Sequence, residues 1–168
     1  MSLADNIDRL TTLIGRAAAW LCLFIVVAQF TVVLMRYGFG TGSAKLTESI
    51  VYAHAALFML AAAWTLRDGR HVRVDIFYAD AEPRRKALVD LLGALFLLMP
   101  FALSLLILSL PYVARSWSIL ERSRETSGLP FVYLLKTLIP VFGLLLVLQG
   151  ISQAIRAASA LSTRAGDS

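Results

Sequence analysis

The sequence predicts an all-α integral membrane protein whose four helices cross the bilayer, and composition and hydrophobic patterning carry this prediction. Of the 168 residues, 58% are hydrophobic and 16% are charged, whereas soluble domains have about 45–50% apolar and about 25% charged residues. Four apolar stretches are long enough for a hydrocarbon core about 30 Å thick, which requires roughly 20 helical residues. Helices are expected because a spanning segment must satisfy its own backbone hydrogen bonds in lipid. We therefore expect one four-helix membrane domain over residues 1–168.

The four predicted spans lie between charged residues. With their flanking turns they cover approximately residues 14–36, 47–67, 87–115 and 129–156. Pro83 suits the first turn of a helix, and no helix breaker separates it from the third span, so a single long helix should rise from the interface into the bilayer. Pro100 should kink that helix, because proline removes a backbone donor and clashes with the preceding turn.

The segment before the first span is amphipathic. Its apolar residues recur at helical spacing, namely Leu3, Ile7, Leu10, Leu13 and Ile14. This pattern predicts a helix that lies on the membrane surface before it turns into the first span. The first span is not a cleavable signal peptide, because its apolar stretch is too long and no small-residue cleavage site follows it.

The distribution of Lys and Arg predicts that both termini lie in the cytoplasm. The loop between spans two and three is strongly basic, with Arg67, Arg70, Arg73, Arg84, Arg85 and Lys86. Short cytoplasmic loops carry the excess of Lys and Arg in membrane proteins. We therefore expect this loop, with the helix that follows it, at the cytoplasmic interface, where its arginines can also hold anionic lipid headgroups.

The positive charge does not indicate a nucleic-acid partner. The formal net charge is +5, but the basic residues flank apolar stretches. No aromatic residues alternate with them, as a stacking platform for bases would require. We expect no nucleic acid among the partners.

No residue pattern indicates an enzyme, a metal site or a cofactor site. A nucleophile–base pair, a paired-carboxylate site and a glycine-rich phosphate loop are all missing from the sequence. Cys22 is the only cysteine, so it forms no disulfide within the chain. His54 lies near the middle of span two and His71 lies in the loop beyond it, so they do not suit the two axial positions of one haem. Glu48, His54 and Lys136 are instead candidates for helix or subunit packing.

Two motifs remain. The first is RDGRHVRVDIFYADAEPRRKALVD, with Arg67, Gly69, His71, Val72, Val74 and Asp75 in the loop and Pro83, Arg85 and Asp90 after it. The second is TSGLPFVYLLKTLIPVFG, with Gly128, Pro130, Lys136 and Pro140 as landmarks. Their order and spacing resemble the small membrane subunit of tripartite ATP-independent periplasmic (TRAP) transporters, the DctQ type. The acidic pair that opens span two in that family is Thr47–Glu48 in this sequence, so only the second acid is present.

The resemblance implies an accessory permease subunit of a sodium-coupled secondary transporter in the bacterial inner membrane. In this family a large membrane subunit binds the substrate and sodium, and a soluble periplasmic protein delivers the substrate, commonly an organic acid. The small subunit braces the scaffold of the large one. The expected partners are therefore those two proteins and membrane lipids. No cofactor is expected in this chain, and sodium is expected in the large subunit.

Two groups of residues are candidate sites on this interpretation. The cytoplasmic interfacial motif comprises Arg67, Gly69, Arg70, His71, Arg73, Asp75, Arg84 and Arg85. The candidate docking surface for the periplasmic protein comprises Arg115, Glu121, Arg122, Arg124 and Glu125. Mixed charges at such a surface set orientation and on-rate more than affinity. A solvated loop without a partner is the alternative interpretation of the second group.

Two other functions stay open from the sequence. A membrane-anchor subunit of a redox complex would bind haem or quinone. A self-assembling small exporter would need an acidic residue embedded in the membrane. Glu48 lies too near the end of its span to suit that role.

Overall fold

A computed structural model describes residues 2–69 and 81–163, and within them every regular element is helical. The elements are α1 (Leu3–Gly38), α2 (Ala44–Arg67), α3 (Pro83–Gly93), α4 (Met99–Ser118) and α5 (Val132–Thr163). A π-helical turn, Ala94–Leu98, joins α3 to α4, so the two form one continuous rod. Four helices are long and apolar enough to cross a membrane: Leu3–Gly38, Ala44–Arg67, Pro83–Ser118 and Val132–Ser162. The predicted fold class is confirmed.

The first helix is longer than its span. It begins with a capping box, in which Ser2 Oγ accepts from the Asp5 backbone N–H at 3.2 Å and Asp5 Oδ2 accepts from the Ser2 N–H at 3.0 Å. Its 36 residues extend over about 54 Å, which exceeds the hydrocarbon thickness of about 30 Å. The first turns of α1 therefore project beyond the hydrocarbon.

The predicted turn between a surface segment and the first span is wrong, because α1 runs without a break through both. The polar face of the amphipathic segment explains the difference. Asp8 and Thr11 on that face are buried, 5% and 0% exposed, because they pack against α5. The amphipathic pattern of this segment therefore does not mark a solvent-exposed face. Its polar residues form hydrogen bonds with α5.

The helices form an open row with α2 and α5 in the middle. The second helix packs against α1 and α5, while α5 also contacts α1, α3 and α4. In the part of the chain that the structure describes, α4 contacts neither α1 nor α2. The trio α1, α2 and α5 is thus the packed unit, and the α3–α4 rod is attached to one side of it.

Glycines allow the closest approaches between these helices. A Cβ on Gly15 of α1 would lie 2.6 Å from the Cβ of Trp64 on α2. A Cβ on Gly143 of α5 would lie 3.1–3.2 Å from backbone atoms of Ala102 and Leu106 on α4. Small residues at helix contacts are how membrane helices gain van der Waals packing in lipid.

The π-helical turn lies immediately before Pro100. The Met99 N–H donates to the Ala94 carbonyl, five residues back. This register shift suits a following proline, which has no N–H and whose ring clashes with the carbonyl four residues earlier. The long helix predicted from Pro83 through the third span is confirmed, and the kink at Pro100 stays a prediction.

Candidate functional site

Charged and polar side chains gather at the two ends of the helical row. We call the end where α2 and α5 begin the Glu48 end, and the end where α1 begins the Asp8 end. Both take their names from a carboxylate that ties separate elements together.

At the Glu48 end, Glu48 fixes the loop between α4 and α5. Its carboxylate accepts hydrogen bonds from Ser123 Oγ and, at 2.6 Å, from the Leu129 backbone N–H. The Ser123 N–H in turn donates to the Leu129 carbonyl at 3.2 Å. Gly128 has no room for a side chain, since a Cβ there would lie 2.4 Å from Ser123 Oγ and 2.7 Å from Glu48 Oε1. The single acid that this sequence retains at the start of span two thus holds loop 119–131 against α2.

An ion pair between Glu121 and Lys136 fixes the other side of the same loop. Glu121 accepts from Lys136 Nζ and, at 2.7 Å, from Ser116 Oγ. Lys136 also lies 4.1 Å from the ring centroid of Tyr112. The hydrogen bond from Lys136, helped by that from Ser116, lowers the pKa of Glu121 below the usual glutamate value. The side chain of Lys136 therefore reaches toward the loop and not along the membrane surface.

The end of α4 positions Glu121 through a strained residue. Leu120 adopts a positive φ of 45°. Its N–H donates to the Trp117 carbonyl at 3.1 Å, and the Glu121 N–H donates to the Ser116 carbonyl at 3.0 Å. This pair of bonds is a Schellman motif, whose left-handed position is usually glycine. A leucine there strains the backbone by about 1–2 kcal/mol.

The predicted docking residues divide into two kinds. Arg115, Arg122, Arg124 and Glu125 are exposed, while Glu121 is half-buried and bonded to Lys136. An open groove with a volume of 540 Å³ lies over the loop, which is room for more than one side chain of a partner. Its charged lining residues are Lys45, Arg122, Arg124 and Glu125. The structure therefore brings an excess of positive charge to this surface, and Glu121 serves as its internal support.

At the Asp8 end, a buried carboxylate joins three helices. Asp8 Oδ1 accepts from Ser152 Oγ at 2.7 Å and from Gln149 Nε2 at 3.1 Å. Arg156 donates to Asp8 Oδ2 at 2.6 and 3.1 Å, and Arg67 Nε lies 3.7 Å from the same oxygen. The Asp8 cluster, as we call it, comprises these residues together with Thr11, whose hydroxyl donates to Gln149 Oε1 at 2.9 Å. Because every member has a partner, the cluster locks α1, α2 and α5 together.

Sequence reasoning missed the Asp8 cluster. A signal was available, because Gln149, Ser152 and Arg156 recur at helical spacing on α5. Asp8 and Thr11 lie at matching spacing on the polar face of α1. The two polar stripes complement each other, but one sequence does not reveal which helices are neighbours.

The cytoplasmic interfacial motif is only partly described. Gly69 follows α2 with a positive φ of 65°, as expected for the residue that ends the helix. Arg67 is the last residue of α2, and its guanidinium also donates to Thr12 Oγ1. Two further members, Arg84 and Arg85, are exposed in the first turn of α3. The remaining members lie outside the described residues, namely Arg70, His71, Arg73 and Asp75.

The three residues predicted to pack against helices or subunits, Glu48, His54 and Lys136, have different surroundings in the structure. Glu48 and Lys136 bind the loop, as described above. His54 lies near the middle of α2 with its side chain exposed. Within the described ranges, no group of three or more His, Cys, Asp or Glu residues is arranged to hold a metal ion.

Comparison with known proteins identifies one family. The family described as tripartite ATP-independent periplasmic transporters, DctQ component, matches residues 25–160. No curated protein and no solved structure matches the chain.

Proposed function

The chain belongs to the DctQ family, the small membrane component of TRAP transporters, and on this premise we propose that it is the accessory subunit that braces the large transport subunit during sodium-coupled uptake of an organic acid. It is a multi-pass inner-membrane protein with four helices able to span the bilayer. The family is one of transporter components and not of enzymes. Sodium and substrate would bind in the large subunit.

The observation that carries the bracing role is the placement of the charged contacts. Ion pairs lie at both ends of the row: Arg67 and Arg156 with Asp8, and Arg156 with Asp5, at the Asp8 end, and Lys136 with Glu121 at the Glu48 end. Ionisable groups on a transport path lie within the spans and face a cavity. A chain whose ion pairs fasten helix ends is suited to hold a shape.

The groove over loop 119–131 supports a second part of the proposal, namely contact with the periplasmic binding protein. The Glu48 end faces the periplasm in this proposal, as the Lys and Arg distribution predicts. Lys45, Arg122 and Arg124 would meet acidic residues of the binding protein. Glu48 and Glu121 keep the loop in a fixed shape, so little ordering is needed when the partner arrives.

Lipid contact belongs at the opposite end in this proposal. An open groove of 480 Å³ there is lined by charged residues that include Arg9, Arg16, Arg67 and Arg156. Juxtamembrane arginines attract anionic headgroups, each by about 1 kcal/mol near the surface. The sequence placed lipid binding on the loop after α2, and the groove extends that expectation to α1 and α5.

Co-purification tests the proposed function. The chain, with an affinity tag, is co-expressed with the large subunit of its transporter and purified in mild detergent. We expect a stoichiometric complex. Large subunit expressed without the tagged chain gives the background. A tagged chain that purifies alone, although both proteins reach the membrane, contradicts the proposal.

The redox-anchor alternative gains no supporting observation. The family that matches is one of transporters, and His54 stands on an exposed face of α2. The exporter alternative is not favoured either, because Glu48 is engaged with the loop at the end of its helix.

A further inference from the structure

Two polar side chains stand on the outer surface of the protein in the middle of its spans. His54 is within about two residues of the centre of α2, and Gln29 lies in the apolar stretch of α1. Both side chains are exposed. Neither makes a hydrogen bond to any of the residues in the described ranges 2–69 and 81–163.

The two side chains lie at the same depth on neighbouring helices. Gln29 is about nine residues before the end of α1, and His54 is about ten residues after the start of α2, which places both about 14–15 Å from the connecting loop. The helices are antiparallel and pack against each other. We call this pair the Gln29–His54 level.

The stripe on α2 that carries His54 is otherwise apolar along the middle of the helix. Val51 and Phe58 are 56% and 69% exposed and lie one turn to either side of His54 on the same face. The packed face of α2 is a different one, where Ala53, Ala62 and Ala63 are buried. The stripe therefore lies mostly exposed on the outside of the packed helices.

Bare lipid is an unfavourable neighbour for this level. Polar and ionisable side chains in spans almost always face a protein interior or a water-filled cavity, because hydrocarbon offers them no hydrogen-bond partner. Glutamine and histidine are typical residues for hydrogen bonds between membrane helices. A face with two such groups at one depth fits a protein partner that presents its own polar groups at that depth.

We propose that the face of α1 and α2 at the Gln29–His54 level is the surface that the large subunit covers, with hydrogen-bonding groups of that subunit meeting Gln29 and His54 inside the bilayer. This inference rests on the proposed function, which supplies a membrane partner for the chain. The large subunit is the occupant because the family is a component of a multi-subunit transporter. The partner residues are donors or acceptors near the middle of its own spans.

Photo-crosslinking tests which protein covers the face. Phe58 is replaced by the photoreactive residue p-benzoylphenylalanine, which leaves His54 intact, and the complex with the large subunit is irradiated in membranes. The same replacement at Phe101, which is 58% exposed on α4, is the matched control. We expect the adduct of position 58 with the large subunit to exceed that of position 101 several-fold. An equal or lower yield, or an adduct of position 58 with a second copy of this chain, overturns the proposal.

Substitution of the two polar residues tests the hydrogen bonds. We expect His54→Leu and Gln29→Leu each to weaken the complex about threefold to tenfold, as for the loss of one hydrogen bond between membrane helices. His54→Gln should keep most of the affinity, and Phe96→Leu, at a 70% exposed position on the π-helical turn, should keep all of it. Each variant alone should retain the fold and monomer stability of the unchanged chain.

Leucine variants that bind the large subunit as tightly as the unchanged chain overturn the inference while the proposed function stands. If the unchanged chain does not co-purify with the large subunit, the proposed function fails and this inference fails with it. The two failures are therefore distinguishable.

Discussion

Asp8 on α1 links three helices, because its carboxylate contacts side chains of both α2 and α5. Its carboxylate receives hydrogen bonds from two α5 side chains, Gln149 and Ser152, and from the guanidinium of Arg156. The Asp8 side chain is only 7% exposed, while that of Arg156 is 54% exposed. An acid removed from water in this way is stabilised by its partners, and its loss leaves those partners unsatisfied.

Neutralising Asp8 should therefore destabilise the protein. We expect Asp8→Asn to lower the free energy of unfolding by roughly 1–3 kcal/mol, the cost of leaving buried hydrogen-bonding groups without a partner. Unfolding by SDS in mixed micelles, followed by circular dichroism, measures the change. Asp5→Asn is the matched control, because the Asp5 side chain is 43% exposed and water screens its ion pair with Arg156. Equal effects of the two substitutions would contradict the role of Asp8.

Leu120 offers a prediction in the opposite direction. Its positive φ of 45° is a conformation that glycine adopts at little cost, so Leu120→Gly should stabilise the protein by about 0.5–1 kcal/mol after the extra chain entropy of glycine is deducted. The neighbouring Ile119 has a negative φ of −103°, so Ile119→Gly should instead destabilise by about 0.5–1 kcal/mol. The same SDS unfolding assay measures the change in unfolding free energy for both variants. Destabilisation by Leu120→Gly would contradict the strain.

Glu121 gives the loop a dependence on pH. Its pKa in the folded chain is lowered, chiefly by Lys136, so the pair stabilises the loop above the ordinary pKa of a glutamate, about 4.3. That stabilisation is lost as the pH falls through the lower, folded pKa. We expect the anisotropy of a fluorophore at Thr126→Cys, in a Cys22→Ser background, to fall as the solution is acidified. Glu121→Gln should begin lower and change less, and an unchanged titration in that variant would contradict the assignment.

At the scale of elements, the helices with long apolar stretches could be predicted from the sequence. The features that depend on contacts with other parts of the chain could not. Four spans and the continuation of the helix from Pro83 follow from hydrophobic length and from the lack of breakers. The unbroken α1 was not predicted. Its polar face was interpreted as solvent-exposed, whereas in the structure that face contacts α5. The π-helical turn before Pro100 was not predicted either. A proline in the sequence indicates that the helix is perturbed there, but it does not indicate whether the helix kinks or forms a π-helical turn.

The candidate site shows the same division. Charge alone found the exposed arginines of the loop between α4 and α5. The roles of Glu48 and Lys136 required knowledge of which elements meet, since Glu48 binds a loop far along the chain and Lys136 binds Glu121. Contacts between distant parts of a chain depend on tertiary packing, which periodicity within one helix does not encode.

The loop between α4 and α5 carries the prediction that belongs to elements. Arg122 and Arg124 are exposed beside the groove, and rim charges act mainly on association rate. Arg122→Ala combined with Arg124→Ala should raise the binding-protein concentration needed for half-maximal uptake several-fold and reduce its dependence on salt. Uptake is measured in proteoliposomes at varied binding protein. Arg84→Ala with Arg85→Ala removes the same charge from the other end and should have no such effect, and equal effects would contradict docking at this loop.

On the scale of the whole molecule, the open row of helices explains why the chain suits a partner. The packed unit is α1, α2 and α5, and α4 contacts α5 without touching α1 or α2 in the described residues. Large apolar side chains are exposed along the spans, including Phe24, Phe30, Phe58, Phe96 and Phe101. Such a shape offers long lateral surfaces in the bilayer, which lipid or a larger membrane protein covers. The ends of the row are fastened by the Asp8 cluster and by the contacts of Glu48 and Glu121.

The central claim is that this chain is required for uptake and does not transport by itself. Its most direct test is sodium-driven uptake of the ligand of the periplasmic binding protein into proteoliposomes, with this chain present, omitted, or reconstituted without the large subunit. We predict uptake only when this chain, the large subunit and the binding protein are all present. Uptake by this chain without the large subunit, or an unchanged rate when this chain is omitted, would contradict the account.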